Sequence, residues 1–293
     1  MKYPLPFNEK ELKQKSVQMR RDIVEEVFTA GSGHPGGSLS ATDLFVVLYN
    51  SILRHNSEDP HWQDRDRFIL SKAHISPAYY SILARTGYID PSLLTTFRKI
   101  GSMLQGHPKT DVSHGIEVGG GSLGQNLSVA VGMALGLKHL NTTNPDKYPT
   151  LPRVFDMSSE GELQEGSMWE AIMSAAQYRL SNLCLMIDYN RLQIDGATED
   201  VMEVHPLDKK FKAFNWNVIT VKKGHSLKAL YKAFRKFEKF ALKTKKPTVI
   251  IAHTVKGKGI SFMENNAGWH GRAPTAEERD KAMKELDETA AAI

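Results

Sequence analysis

Hydrophobic residues recur along this chain with two spacings, one typical of helices and one typical of buried strands. Near the N-terminus they fall on one side of a helix predicted over residues 8–30, with Asn8 as its N-cap and Gly31 at its end. Further helices are predicted over residues 41–52, 77–86, 122–137, 165–179 and 227–242. Short apolar runs predict strands over residues 67–72, 153–158, 183–188, 218–221 and 247–253.

The alternation of strands and helices predicts the fold class. Short strands separated by helices favour a parallel sheet that is covered on both sides. We therefore predict an α/β fold, a doubly wound, mostly parallel sheet with helices on both faces. One domain is predicted over residues 1–274, followed by a helical tail over residues 275–293, where Thr275 and Glu278 form a capping box.

Composition and charge exclude several classes of protein. With 293 residues, 41% of them hydrophobic and 24% charged, the chain is long and apolar enough to bury a core. Its single cysteine, Cys184, excludes a disulfide framework or a cysteine-based zinc cluster, and we expect a cytoplasmic protein. The lack of a long apolar run indicates no membrane partner. A net charge of +5 does not predict a nucleic acid partner.

Two glycine-rich stretches, residues 31–36 and 119–124, match the dinucleotide-binding pattern G-x-G-x-x-G. The first follows a helix rather than a strand, and the second lacks the acidic residue expected about 20 positions later. We interpret these glycines as turn residues at helix starts. That interpretation does not explain why His34 and Pro35 lie among them.

Polar residues after two neighbouring strands predict a cation site. Glu160 follows the strand over residues 153–158, and Asn190 follows the strand over residues 183–188. Because parallel strands end at the same edge of a sheet, we expect the two side chains to be neighbours. A carboxylate, an amide oxygen and a backbone carbonyl suit Mg²⁺ or Ca²⁺ holding a diphosphate. For Glu160 alone, an acidic helix N-terminus stabilised by the helix dipole is the simpler alternative.

Seven short motifs, in chain order, resemble the N-terminal half of transketolases, enzymes that use thiamine diphosphate. They lie at residues 33–36, 71–74, 105–108, 121–125, 161–166, 188–190 and 269–271. The resemblance runs from the first helix to about Pro274, and the chain is most similar to the separately encoded N-terminal subunits of split bacterial transketolases. It implies that residues 1–274 form the diphosphate-binding domain.

The resemblance also implies roles for individual residues. The side chains of Glu160 and Asn190 and the carbonyl of Leu192 would bind the metal, which is Mg²⁺ with Ca²⁺ or Mn²⁺ as alternatives. His34, His107 and His270 would be catalytic, since neutral imidazoles accept and return protons near pH 7. The cofactor would be surrounded by His74, Gly121, Leu123, Gly161, Glu162, Glu165, Asn190, Ile194 and His270. Ordinary surface or core roles are assigned to His55, His61, His139 and His225.

The function implied by the resemblance is that of an enzyme subunit, a transketolase-type transferase. It would move a two-carbon ketol unit from a ketose phosphate to an aldose phosphate. A separate C-terminal subunit would supply the pyrimidine-binding domain, in a heterotetramer, so the chain alone is expected to be inactive. Two alternatives stay open: a split transketolase for an unusual or modified sugar, and a non-catalytic partner-binding subunit with a degraded metal site.

The chain departs from the family pattern in three places. Transketolases usually have Gly-Asp-Gly where this chain has Ser159, Glu160 and Gly161, which predicts a shifted loop, a larger ion or weaker metal binding. Asp156 and Ser158 lie in a strand that should be buried and apolar, so we expect a local rearrangement there. A looser loop on the pyrimidine side is expected from Gly119, Gly120 and Asn126, which replace a Ser, a Thr and a Gly.

Overall fold

The computed structural model describes residues 2–293, in which helices and strands alternate as the hydrophobic pattern predicts. Its α-helices are α1 (Glu9–Ala30), α2 (Pro35–Ser51), α3 (Ser76–Arg85), α4 (Asn126–Thr143), α5 (Gly166–Gln177), α6 (Thr198–Val201), α7 (Leu207–Ala213), α8 (Leu227–Lys243) and α9 (Ala276–Ala291). Its strands are β1 (Lys2–Tyr3), β2 (His55–Asn56), β3 (Arg67–Leu70), β4 (Val154–Ser159), β5 (Leu183–Tyr189), β6 (Leu192–Gln193), β7 (Gly196–Ala197), β8 (Asn217–Val221) and β9 (Thr248–His253).

The five longer strands of the described residues form one parallel sheet in the order β3-β4-β5-β9-β8. Residues of α1, α2, α3 and α8 pack against one face, and residues of α4, α5 and α7 pack against the other. The predicted α/β fold, with helices on both faces of a parallel sheet, is therefore confirmed. Because all five strands run in the same direction, their carboxyl ends lie along one edge, where Ser159 pairs with Asp188.

The boundaries of several elements differ from the prediction, including those of α2, β3 and α4. Helix α2 begins at Pro35 rather than at residue 41, since proline fits the first turn of a helix, where its missing N–H is not needed. The strand predicted over residues 67–72 ends at Leu70, before a 3₁₀ turn over Ala73–Ile75. Helix α4 begins at Asn126 rather than at residue 122 and continues to Thr143. All three differences lie beside loops that reach the carboxyl edge of the sheet.

The C-terminal helix α9 carries the predicted capping box, in which the Thr275 hydroxyl and the Glu278 carboxylate each accept a backbone N–H of the other residue. It packs along α1 through ion pairs of Arg21 with Asp287 and of Glu25 with Arg279. The division of the chain after residue 274 stays a prediction. Within residues 2–293, the helices are too short or too polar to cross a membrane.

Strand β4 is regular, so the expectation of a local rearrangement around Asp156 and Ser158 is wrong. It pairs with β5 without a break from Val154 to Ser159. Ser158 Oγ donates to Glu162 Oε2 at 2.5 Å. Among the described residues, neither carboxyl oxygen of Asp156 has a hydrogen-bond partner, although the side chain is completely buried. Burial, followed by the charge of Glu162, raises the pKa of Asp156 well above its usual range, so the strand accommodates a neutral acid.

Candidate active site

A pocket of about 320 Å³ opens at the carboxyl edge of the sheet, where β4 and β5 end. Its lining includes all of the site residues predicted from the sequence except Glu160, namely His34, His74, His107, Gly121, Leu123, Gly161, Glu162, Glu165, Asn190, Leu192, Ile194 and His270. These residues come from loops that are far apart in the sequence. The fold therefore brings the predicted residues together, while the role of each one stays a prediction.

Three of the predicted histidines form a cluster in this pocket. The ring centroids of His34 and His74 are 5.2 Å apart, those of His74 and His270 are 5.3 Å apart, and those of His34 and His270 are 5.5 Å apart. His107 lines the same pocket from the loop before α4. Among the described residues, the buried His34 Nδ1 has no hydrogen-bond partner.

Burial and nearby cations keep these imidazoles neutral. Burial, then Arg98, lowers the pKa of His34 to about 4, and burial, then Lys256, lowers the pKa of His270 to about 3. Burial is also the first cause of the lowered pKa values of His74 and His107. Near pH 7 each ring therefore has one N–H and one lone pair, as proton transfer requires.

Two lysines that the sequence analysis did not assign to the site also line the pocket. Lys72, only 1% exposed, places its Nζ 2.5 Å from Asp188 Oδ2. Lys256 Nζ lies 3.2 Å from the Leu192 carbonyl oxygen and 2.8 Å from His270 Nδ1. Burial, then the charge of Lys72, lowers the pKa of Lys256 to about 8. Two ammonium groups in a partly enclosed pocket provide an attractive environment for an anion.

Asp188 connects the elements that surround the pocket. It lies at the end of β5 and accepts hydrogen bonds from Lys72, Ser40, Asn190 and Thr254. Burial alone would raise its pKa, but the charge of Lys72 and the hydrogen bonds from Lys72, Ser40 and Thr254 together lower it. Asp188 therefore stays ionised and holds α2, the turn after β3 and the segment after β9 at the ends of the strands.

The predicted metal-binding residues are neighbours. Glu160 Oε2 accepts the Asn190 backbone N–H at 3.3 Å, and Asn190 Oδ1 accepts the Leu192 N–H at 3.1 Å. Glu160 Oε1 lies 3.5 Å from the Thr198 hydroxyl, so the carboxylate is buried beneath the segment over residues 190–198. Burial, then the charge of Asp188, raises the pKa of Glu160 to about 7. Asn190 and Leu192 line the pocket, and Glu160 supports them from below.

The loop before α4 is tied to the sheet by two side chains. Glu162 accepts hydrogen bonds from the Gly124 N–H at 2.9 Å and from Ser71 Oγ at 2.7 Å. Asn126 Nδ2 donates to the carbonyl oxygens of Leu70, at 3.2 Å, and Gly119, at 3.3 Å. The loosening expected from Asn126 is therefore not seen, because its amide joins the loop to the end of β3.

Residues 12–289 match the family described as transketolase, thiamine diphosphate binding domain. The chain belongs to the transketolase family. It is 40% identical over 277 residues to one of the subunits of the apulose-4-phosphate transketolase of Phocaeicola vulgatus, and the match covers 94% of both chains. It is 36% identical over 283 residues to the 6-deoxy-6-sulfo-D-fructose transketolase subunit SqwG of a Clostridium species, which covers 96% of this chain and 98% of that protein.

Longer transketolases share the same fold over part of their length. Human transketolase is 36% identical over 278 residues, which are 94% of this chain and 42% of the human protein. The solved transketolase from Campylobacter jejuni superposes with a TM-score of 0.84 at 31% identity, over 94% of this chain and 43% of that structure. The predicted family, enzyme class and thiamine diphosphate cofactor are confirmed: this transketolase chain is a transferase subunit with a thiamine diphosphate binding domain.

Proposed function

We propose that this chain is the N-terminal, diphosphate-binding subunit of a split transketolase, which acts with a separate pyrimidine-binding subunit in a heterotetramer. The subunit relatives match it over nearly their whole length, whereas human transketolase contains a further region beyond the part that matches. The observation that carries the proposal is the pocket in which four neutral histidines lie beside two lysines and the Asn190 loop.

The residues of the pocket fit the diphosphate of the cofactor. Lys72 and Lys256 offer positive charge, and a Cβ added at Gly37 would lie 2.9 Å from Ile75 Cγ2 and 3.9 Å from Lys72 Nζ, so glycine allows these groups to approach closely. Asn190 Oδ1 and the Leu192 carbonyl are hard oxygen donors that would hold Mg²⁺, with Glu160 beside them. When bound, thiamine diphosphate supplies the electron sink that stabilises negative charge on the donor carbon.

The histidines would move the protons of the reaction. Lys256 donates to His270 Nδ1, so the neutral His270 ring carries its proton on Nε2. His34 lies in the same cluster and would accept a proton from a substrate hydroxyl. His107 would act from the opposite loop. A two-carbon ketol unit would thereby pass from a ketose phosphate to an aldose phosphate.

The sugar is proposed from the charge of the pocket and from the relatives. The named substrates of the two subunit relatives are apulose 4-phosphate and 6-deoxy-6-sulfofructose. Both carry an anionic group at a distance from the carbonyl carbon. We therefore propose an anionic sugar, including an unusual or modified one, as the donor.

A non-catalytic subunit is the second candidate, and the position of Glu160 favours it. The carboxylate is 1% exposed and is held by Asn190 and Thr198 rather than lying free in the pocket. Magnesium tolerates a displaced ligand poorly. In this candidate the chain would bind its partner without holding the metal.

Reconstitution with the partner subunit separates the two candidates. The chain alone, the partner alone and the mixture are assayed for ketol transfer from xylulose 5-phosphate and from apulose 4-phosphate, with thiamine diphosphate and Mg²⁺. We expect turnover only in the mixture, and its loss in Asn190→Ala. Turnover by the chain alone would contradict the requirement for a partner. A complex that forms without any turnover would support the non-catalytic candidate.

A further inference from the structure

His225 joins two parts of the fold that frame the candidate active site. Its Nδ1 lies 2.8 Å from Asp43 Oδ2, and its Nε2 accepts the backbone N–H of Val255 at 2.8 Å. A neutral imidazole has one N–H and one lone pair, so these two contacts use both nitrogens and fix the tautomer. His225 is thus neither a solvated histidine nor a core residue with a single polar contact.

On one side, His225 is fixed to α2 through Asp43. The Asp43 carboxylate is 2.7 Å from Arg20 Nη2 and 3.3 Å from Arg20 Nη1, and all of these groups are nearly buried. Arg20 Nε in turn donates to the Lys258 carbonyl at 2.9 Å. Burial raises the pKa of Asp43, but Arg20 and His225 together hold it well below its usual range. Asp43 is therefore an ionised and immobile acceptor for the His225 N–H.

On the other side, Val255 belongs to the segment over residues 254–257, which leads from β9 into the pocket. Thr254 Oγ1 donates to Asp188 at the start of this segment, and the Gly257 N–H donates to the Gly36 carbonyl at 2.9 Å at its end. Lys256 lies between these two anchors and reaches Leu192 and His270. In the middle of the segment the Val255 N–H donates to His225, and the Lys256 carbonyl accepts the Asn265 N–H at 2.9 Å, so His225 provides the side-chain contact next to Lys256.

Gly224 explains how the imidazole reaches this position. Its N–H donates to the His253 carbonyl at 2.9 Å, and a Cβ at residue 224 would lie 2.3 Å from that carbonyl oxygen. A side chain here would push the turn before α8 away from the end of β9. Ser226, the next residue after His225, caps α8. Residues 224–226 thus tie α8, α2 and the segment after β9 together.

We propose that His225 is a positioning residue, which holds Val255, and through it Lys256, in the place where Lys256 faces Leu192 and His270. The contribution of Lys256 to catalysis rests on the proposed function of the chain. The position of Lys256 does not depend on that function, because contacts within this chain set it. Loss of the Nε2 acceptor frees the Val255 N–H and lets Lys256 move out of the pocket.

Amide hydrogen exchange of the purified full chain, without cofactor or partner, tests this proposal. His225→Asn keeps a polar group near the Nδ1 position but withdraws the acceptor, whereas His225→Gln places an amide oxygen near the Nε2 position. We expect the peptide over residues 254–258 to exchange roughly tenfold faster in His225→Asn, since a local hydrogen bond that opposes opening is lost. His225→Gln should restore most of the protection, and the peptide over residues 183–189 should not change.

Labelling of Lys256 with an acetylating reagent, measured by mass spectrometry, gives a second readout. Lys256 is 1% exposed in the structure, so we expect slow labelling in the wild type and in His225→Gln, and faster labelling in His225→Asn. The exposed His139→Gln serves as the control and should behave as the wild type does. Unchanged exchange and labelling in His225→Asn would overturn the proposal. So would faster exchange throughout the chain in both variants, because the effect would then be global.

Discussion

At the scale of single residues, burial and the neighbouring charges and hydrogen bonds together decide which groups of the pocket carry charge. His34 and His270 are neutral because they are shielded from water beside Arg98 and Lys256, whereas Asp188 stays ionised beside Lys72. The sequence motifs identify the histidines and contain Lys72 without giving it a role, whereas Lys256 lies outside these motifs among 38 lysines and arginines. Their role depends on loops from distant parts of the chain meeting at one sheet edge.

The lowered histidine pKa values predict how stability depends on pH. In the unfolded chain His34 and His270 take up protons near their ordinary pKa of 6.5, whereas the folded chain resists protonation of His34 down to about pH 4. The unfolded state binds more protons in this window. The contribution of the neutral histidines to stability is therefore complete above about pH 6.5 and is lost as the pH falls toward about 4.

Thermal unfolding between pH 7.5 and pH 5 measures this effect. We expect the melting temperature to fall on acidification, and to fall less steeply in the double variant His34→Gln with His270→Gln. The exposed pair His61→Gln with His139→Gln is the matched control and should keep the wild-type slope. Equal slopes in both double variants would show that the pocket histidines do not cause the dependence.

Asp156 predicts a stabilising substitution. An apolar residue of similar size would remove a buried carboxyl that has no partner among the described residues, so Asp156→Val should raise the free energy of unfolding by about 1–3 kcal/mol. The folded-state pKa of Asp156 is raised, so the folded chain holds a proton that the unfolded chain has released above its pKa of about 3.9. The buried carboxyl therefore lowers the free energy of unfolding by more as the pH rises, until the pH reaches the folded-state pKa.

Urea unfolding at pH 5 and pH 8 checks this prediction. The gain from Asp156→Val should be larger at pH 8 than at pH 5. Asp156→Asn should remove the pH dependence but recover less stability, because its amide is still polar and unpaired. The exposed Asp146→Asn is the control and should change neither quantity. A loss of stability in Asp156→Val at both pH values would contradict this account of Asp156.

At the scale of elements, hydrophobic spacing was sufficient to predict the five strands of the parallel sheet and most helices, because that sheet is buried on both faces. It did not predict the two-residue strands β1, β2, β6 and β7 or the short helices α6 and α7. It failed at the start of α2, where Pro35, Gly36 and Gly37 carry no hydrophobic periodicity. Their small size serves packing instead, since a Cβ at Gly36 would lie 2.8 Å from the Trp269 carbonyl oxygen. Such close contacts between distant segments leave no local pattern in the sequence.

A pair of glycine substitutions tests this view of α2. Gly36→Ala places a methyl group against backbone, so we expect a loss of about 1–3 kcal/mol in the free energy of unfolding. Gly132→Ala, in α4, meets no atom of the described residues within 4 Å and should gain up to about 1 kcal/mol from helix propensity. Urea unfolding of the full chain measures both. A Gly36→Ala variant as stable as wild type would contradict the packing argument.

At the scale of the whole molecule, the fold gathers the motifs into one pocket. The resemblance placed Glu160 among the metal ligands, and the structure places its carboxylate beneath the Asn190 loop, against Thr198. Sequence could predict that the two strand ends are adjacent. It could not predict which way the longer glutamate side chain turns, because that depends on the packing of residues 190–198.

Calorimetric titration of thiamine diphosphate into the chain with its partner subunit tests the central claim most directly. The titrations are made with Mg²⁺, with Ca²⁺ and with chelator, and with thiamine monophosphate as the matched ligand that lacks the terminal phosphate. We expect metal-dependent binding of thiamine diphosphate, much weaker binding of the monophosphate, and loss of binding in Asn190→Ala. Absence of thiamine diphosphate binding under every condition, by a complex that still assembles, would contradict the account and leave a non-catalytic subunit.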